Sequence, residues 1–518
     1  MPIDLLLPRM RKNVVWMDRE PPREAERAFR EREYRVSRCT DADLRAPEYL
    51  AGLSAVVLTQ SEDKPLRIAR QLEAHAQNLL DYDCRIIIRG ASGVRAIVGA
   101  LESQGIPAAG LPADARTTEH EEPPLPFARY FDSSVGWAEV ANFVQTCPHR
   151  PYPNLSLEIE VEEAGESRVT LDTSIDILLR RAFSDCSRVC VQELAGARSG
   201  AKVYRVYAEL GGGVLGEVTQ PFIVKTAPRA DIVSEYVNYE DRVHPYIPFH
   251  LGPHLDYKRC CLGGKDGLLV LNYVTESETL LRCASEGRAL PAIACLFDRT
   301  LFGWHRQARE VDVPFARPLE RRFPTTIDSK RREIAGRLGA TLDAGELMEL
   351  FRRCTSTPVL VGPIHGDLHA TNVRVRSSDA VIIDFKTQEN FPLLFDAATL
   401  EASLLVEGDF PQKLVPSEWI DTIKPLYEGT LFACLGPQSA PNSWSSWFYA
   451  SVRQIRGYAR QWQCGENQYA AALSLALLEK AEKDSDAVEP EASRRAGAYL
   501  FAELTLRHAF SGLPRTEP

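Results

Sequence analysis

A chain of 518 residues exceeds what one hydrophobic core usually serves, so two or three domains are expected. Its 44% hydrophobic and 25% charged content is that of a globular protein, and a formal net charge of -10 gives no electrostatic basis for general nucleic-acid or membrane-surface binding. No apolar stretch is long enough to span a bilayer, and the run Leu5-Leu6-Leu7 is broken by Pro8 without the form of a signal peptide. The twelve cysteines are scattered with no C-x-x-C, so the expectation is a reducing cytoplasm with neither a zinc site nor a disulfide framework.

From residue 12 to about 111, apolar β-rich runs at 13–17, 34–36, 54–58 and 84–88 alternate with helical patterns, most clearly at 68–80 and 93–104. A fifth strand is expected at 127–131 and a helix at 135–145. Such alternation predicts a parallel sheet flanked by helices. It resembles a small flavodoxin-type or response-regulator-receiver-type α/β domain, taken as residues 1–148. A receiver needs an acidic pair after its first strand and a phosphoacceptor Asp at the end of its third. Asp18 and Glu20 follow the first strand, but the third ends Leu58-Thr59-Gln60, and Asp63 lies too far down the loop. The expectation is a degenerate receiver-like module for protein interaction, self-association or sensing. Loop signals at 119–124 and at Pro148, Pro151 and Pro153 then place a linker over 149–170.

The strongest chemical signal is Ile364-His365-Gly366-Asp367-Leu368-His369-Ala370-Thr371-Asn372, followed by Ile382-Ile383-Asp384-Phe385. Phosphoryl transfer needs one carboxylate to orient and deprotonate the attacking hydroxyl, plus ligands that hold Mg²⁺ against the phosphates. Asp367 and Asn372, five apart on one loop, and Asp384 after the next strand meet that need in order. Residues 373–375 and 381–383 pattern as the two strands of a hairpin that brings Asn372 and Asp384 together. The string H-G-D-L-H-x-x-N followed by I-D-F resembles the aminoglycoside phosphotransferase and choline kinase branch of the protein-kinase-like superfamily. The resemblance implies that Asp367 is the catalytic base and that Asn372 and Asp384 are the metal ligands. His365 and His369 are expected to brace the loop.

An α+β bilobal fold with a helical C-terminal part then requires a small lobe upstream, assigned to 171–274, and a large lobe over 275–518. Lys225, in the β-run Phe222-Ile223-Val224-Lys225, suits the phosphate-pairing lysine, with Glu235 on the following helix as its partner and Glu240 as the alternative. Gly196, Ser199 and Gly200 lie on a turn between two strand patterns and suit a phosphate-covering loop. The strand 267–274 resembles the last of the small lobe, so backbone near Leu271 and Tyr273 is assigned to the adenine edge. Lys386 is expected as a solvated charge ahead of a phosphate contact, Asp396 as a helix cap, and Trp304 to Arg306 as a wall of the acceptor cleft, where apolar stripes are more often core than pocket; Arg306, Arg453 and Arg456 could meet an anion but are expected to face solvent.

A helix before the phosphate loop, the S-G loop, the catalytic string, and the D-x-A-x-L-E pattern at 396–401 together resemble the bacterial ternary complex associated kinase-fold domain. That module occurs in multidomain signalling and conflict systems. The expected function is ATP- and Mg²⁺-dependent phosphate transfer to a hydroxyl, on a small molecule before a protein, with no nucleic-acid or membrane partner. A nucleotide-binding pseudokinase signalling through its N-terminal domain is the alternative.

Overall fold

The computed structural model describes residues 12–17, 20–59, 65–90, 99–101, 103, 106, 108–110, 127–146, 153–162, 171–194, 201–210, 218–324, 327–385, 387–411, 414–435, 440–482 and 489–510. They form two compact units, Met1–Tyr236 with His254–Tyr273, and Val237–Pro253 with Val274–Pro518.

The first unit holds two sheets. One consists of β1 (Asn13–Met17), β2 (Arg35–Cys39), β3 (Leu53–Thr59), β4 (Arg85–Arg89), β5 (Ala108–Ala109) and β6 (Ala128–Phe131), in the order β2-β1-β3-β4-β6-β5 with every neighbouring pair parallel. The order up to β6 is that of a doubly wound sheet. Because side chains alternate across a strand, Val15, Val56 and Ile86 pack on one face with Leu79 and Leu80. Val14, Trp16, Val57 and Ile87 pack on the other with Phe29, Trp137 and Val140. Both faces being covered explains the unbroken apolar runs. The helices Pro65–Asp81 and Trp137–Thr146 stand where periodicity predicted them. A short helix, Pro47–Ala51, and the two-residue edge strand β5 went unpredicted because neither is long enough to carry a period. Asp18, Gln60, Asp63, most of 93–104, and 119–124 lie outside the described residues.

The second sheet comprises β7 (Glu158–Glu162), β8 (Cys186–Glu193), β9 (Lys202–Leu210), β10 (Val218–Pro228), β11 (Cys261–Leu262) and β12 (Asp266–Asn272), in the order β11-β12-β10-β9-β8-β7. All pairs are antiparallel except β7 with β8. The stretch expected as a linker therefore supplies an edge strand, whose Glu-Ile-Glu-Val-Glu pattern suits half-exposure. Helix Thr173–Ala182 buries Ile175, Leu178 and Leu179 against Val189, Val206, Val224 and Val270. Helix Arg229–Asn238 follows β10 directly.

The second unit contains β13 (Glu278–Thr279), β14 (Arg309–Val311), β15 (Val359–Ile364), β16 (Val373–Arg376), β17 (Asp379–Ile382) and β18 (Glu389–Pro392). They pair as β13-β16-β17 and β14-β15-β18. Helices Ser446–Trp462, Gln468–Glu482 and Glu491–Phe510 form the expected helical part. Helix Leu394–Glu407 is apolar almost all round, and every residue from Leu394 to Val406 is buried, as a central helix requires.

That centre corrects two expectations. Arg456 is wholly buried rather than solvent-facing: it pairs with Glu401 at 2.6 and 3.0 Å and donates to the carbonyls of Leu426 and Leu431. Tyr469 gives its hydroxyl proton to the same carboxylate, so the buried charges are fully hydrogen-bonded, the condition under which an interior ion pair is tolerable. Trp304, expected along a cleft, is a core side chain whose indole N–H donates to the Arg242 carbonyl. Arg306 is exposed beside the Phe302 ring, as a surface arginine would be. Among the described residues no helix is long and apolar enough to cross a membrane.

Candidate active site

In the first unit, β10 lies between β9 and β12, with Lys225 opposite Val203 and Leu269. Val224 points into the core, so alternation turns Lys225 to the other face. There it is still withdrawn from water, because helix Arg229–Asn238 returns over the strand and sets Glu235 against it. Lys225 Nζ is 3.0 Å from Glu235 Oε1 and 2.8 Å from Oε2. Glu240, the alternative partner, lies beyond that helix in the turn Tyr239–Val243. Leu271 is on β12 opposite Ile223, and Tyr273 follows the strand with its ring 4.9 Å from the Arg205 guanidinium. Gly196, Ser199 and Gly200 lie outside the described residues, as does Lys386. The strands flanking the first three pair as expected, through Glu193 and Tyr204.

In the second unit, β15 delivers the chain into the loop from His365 to Asn372, and backbone hydrogen bonds hold that loop from several sides. Asp396 accepts the N–H of His365 at 2.8 Å and of Gly366 at 3.0 Å. This corrects its assignment as a helix cap: the carboxylate is spent on the loop, and it makes no cap bond. Burial pushes the Asp396 carboxyl up, while His365, the two N–H groups and Arg322 pull it down. Thr387 donates its hydroxyl to the His365 carbonyl at 3.1 Å, and Arg322 donates to the Gly366 carbonyl at 3.0 Å. Arg322 is itself held by Glu389 and Glu479. Gly366 has φ +80°, and a Cβ there would overlap the Thr387 carbonyl oxygen, so glycine is required.

His365 is fully buried with Nε2 3.0 Å from the Ile383 carbonyl. Asn372 Nδ2 donates to the Asp367 carbonyl at 3.1 Å, which leaves Oδ1 as the atom of ligand type. Asn372 also accepts the N–H of Ile383 at 2.9 Å, and β16 pairs with β17 as Val373 with Ile382, so the hairpin brings Asn372 and Asp384 to one end. Asp384 has φ +66°, a conformation that costs a non-glycine residue energy and that clusters at functional sites.

His369 Nδ1 is 2.6 Å from Thr371 Oγ1, and Nε2 is 3.8 Å from Asp367 Oδ2, too long for a hydrogen bond. Burial, helped by the charge of Lys480, pushes the His369 imidazole down to about 4, so it is neutral at neutral pH. Among the described residues no group of three or more His, Cys, Asp or Glu side chains could hold a metal by themselves. Asn372 Oδ1 and the Asp384 carboxylate are oxygens of the type that a hard cation takes when phosphates and water complete its shell. Asp396, Arg322, Thr387 and Ser403, which accepts the N–H of Ala370 at 2.9 Å, are the supports that sequence reasoning missed. The D-x-A-x-L-E pattern marked the helix of Asp396 and Ser403 but not the loop that these two side chains hold.

The loop and hairpin of the second unit, and separately the lysine–glutamate pair of the first, carry side chains of the types that phosphoryl transfer uses. Residues 193–412 match the family model described as the phosphotransferase enzyme family, which supports a kinase or phosphotransferase. No curated protein matches the chain.

Three solved structures illustrate the range of similar folds. An amicoumacin kinase in complex with AMP-PNP and Ca²⁺ is 14% identical over 62% of this chain and 89% of its own, with a TM-score of 0.34. An aminoglycoside phosphotransferase from Streptomyces rimosus, in complex with ADP and streptomycin, is 15% identical over 65% and 99%, at 0.31. The Plasmodium vivax ethanolamine kinase is 11% identical over 60% and 82%, at 0.29. At these TM-scores the similarities carry no weight for activity or substrate.

Proposed function

We propose that the chain uses ATP and Mg²⁺ to transfer the γ-phosphate to the hydroxyl of a small-molecule acceptor. The observation that carries this is the buried Lys225–Glu235 pair. A buried ion pair is a poor stabiliser compared with an apolar substitute, so its presence on a small-lobe strand speaks for a lysine kept oriented for phosphate. Asp367 accepts the acceptor's hydroxyl proton as the bond from that oxygen to the γ-phosphorus forms and the bond to the ADP oxygen breaks. His369 is not the base, since an imidazole pushed down to about 4 is too weak a proton acceptor near neutrality. Asn372 and Asp384 would hold the divalent cation, which when bound neutralises phosphate charge. Leu271 and Tyr273 supply backbone to the base, and the loop of Gly196, Ser199 and Gly200 covers the phosphates.

The finer placement follows the pattern resemblance. The chain is of the ternary complex associated type, cytoplasmic, with a small lobe over 171–274, a large lobe over 275–518, and a degenerate receiver-like domain over 1–148 that recruits a partner in a bacterial signalling or conflict system. ADP release with Mg²⁺, from wild type and from Asp367→Ala, tests the activity across a panel of hydroxylated metabolites and antibiotics. Turnover lost in Asp367→Ala is the expected result. Nucleotide binding with no transfer to any acceptor, to water or to the chain itself would leave a nucleotide-binding pseudokinase instead.

A further inference from the structure

We infer that Asp81, in the N-terminal sheet domain, is a positioning residue for the Lys225–Glu235 pair, acting through the β11–β12 turn on which the helix carrying Glu235 is seated. The inference rests on the proposed role of Lys225 toward nucleotide.

Asp81 is the last residue of helix Pro65–Asp81 and is 7% exposed. Its Oδ1 accepts the N–H of Gly264 at 2.9 Å. Its backbone carbonyl accepts Arg181 Nη1 at 2.6 Å, and the same nitrogen reaches the Leu262 carbonyl at 3.1 Å. Arg181, on helix Thr173–Ala182, is completely buried. Three segments of the first unit therefore converge on Asp81, with the Gly264 N–H on its carboxylate and Arg181 on its backbone carbonyl. The approach is tight: a Cβ on Gly263 would lie 2.5 Å from Asp81 Oδ1 and 3.1 Å from the Asp266 carbonyl oxygen.

The same turn is the seat of the Glu235 helix. Arg229, its first residue, donates its N–H to the Lys265 carbonyl at 2.9 Å and its Nη1 to the Gly263 carbonyl at 2.8 Å. Ile232 of that helix closes on Gly267, where a Cβ would be 2.9 Å from the Ile232 side chain. Glu235 follows on the next turn of the same helix. A shift at Gly263–Gly264 therefore tilts the helix from its anchored end and moves the carboxylate that orients Lys225.

The energetics favour a positioning role over a purely structural one. Burial pushes the Asp81 carboxyl up to about 6, against the Gly264 N–H and the charges of Arg181 and Arg229, with Asp266 adding to the rise. The ionised side chain is thus held at a cost to folding near neutral pH. Replacing it by alanine relieves that cost but strands the Gly264 N–H, so the two effects on stability oppose each other and little net change is expected.

The experiment uses the full chain and two readouts: hydrogen exchange of amides 229–238, and AMP-PNP affinity by calorimetry at pH 7.5. In Asp81→Ala, exchange in that helix is expected to quicken and AMP-PNP to bind about tenfold more weakly, with the urea midpoint little changed. Asp81→Asn keeps an acceptor oxygen and should stay within about twofold of wild type. Gly263→Ala should resemble Asp81→Ala, and the double variant should be no worse than either, as expected of one shared contact. Wild-type exchange in 229–238, or wild-type affinity, in both single variants would overturn the inference. Failure of wild type to bind AMP-PNP would sink the nucleotide reading alone, because exchange in 229–238 would still decide the role of Asp81.

Discussion

Lys225 Nζ sits 3.0 Å from one carboxylate oxygen of Glu235 and 2.8 Å from the other, with both side chains nearly withdrawn from water. Removing one partner leaves a buried charge unmatched, which costs about 3–5 kcal/mol in comparable sites. Lys225→Met is expected to weaken AMP-PNP binding by about two orders of magnitude and Glu235→Gln by about one, as losses of roughly 3 and 1.4 kcal/mol. Calorimetric titration measures both. Wild-type affinity in the two variants would remove the lysine from the nucleotide site.

Chemistry and binding should separate at the catalytic loop. Asp367→Asn is expected to cut turnover by about 10²- to 10⁴-fold, the range for loss of a general base, with AMP-PNP affinity close to wild type. Asn372→Ala and Asp384→Ala should instead raise the Mg²⁺ concentration needed for half-maximal turnover, and chelation by EDTA should abolish turnover in all forms. A coupled ADP-release assay over a Mg²⁺ series reads these effects. Equal Mg²⁺ dependence in wild type and both variants would contradict the ligand assignment.

Asp396 offers a test of loop support. Its truncation to alanine strands the His365 and Gly366 N–H groups in the interior, at about 1–3 kcal/mol for each. Asp396→Ala should therefore lose about 2–6 kcal/mol of stability in urea and most of its turnover. An Asp396→Ala chain with wild-type stability and rate would show that the loop holds itself.

His305 packs against Trp462 with ring centroids 4.6 Å apart, and burial pushes its imidazole down from 6.5 to about 4. The folded chain keeps this ring neutral while the unfolded chain takes a proton below about 6.5. Stability is accordingly unaffected above pH 6.5, falls as pH drops toward 4 and then levels off, by up to about 3 kcal/mol from this residue. Urea unfolding of wild type and His305→Gln across pH 4.5–7.5 checks it. The variant should show the shallower acid loss, and parallel curves would count against a neutral buried ring.

The sequence by itself determined what is local. Strand runs such as 84–88 were legible because both faces of their sheet are covered and the apolar pattern has no gaps. The candidate catalytic string was legible because Asp367, Asn372 and Asp384 stand at short spacing on one loop and one hairpin. Lys225 and Glu235 were legible because a strand running straight into a helix leaves few carboxylates within reach.

Only the tertiary structure decided the partners that are distant in sequence. Asp396 looked like a cap because position near a helix start is visible in a sequence, whereas the loop thirty residues earlier that takes up its carboxylate is not. Arg456 looked like a surface charge because nothing local reveals that Glu401, Tyr469 and two carbonyls converge on it. Asp81 and Gly264 are 183 positions apart and share a hydrogen bond that no pattern within either segment encodes. The physical reason is common to all three. A charged side chain is written into the sequence as a cost, and whether that cost is met by water, by a cap or by a buried partner depends on which segments the fold brings together.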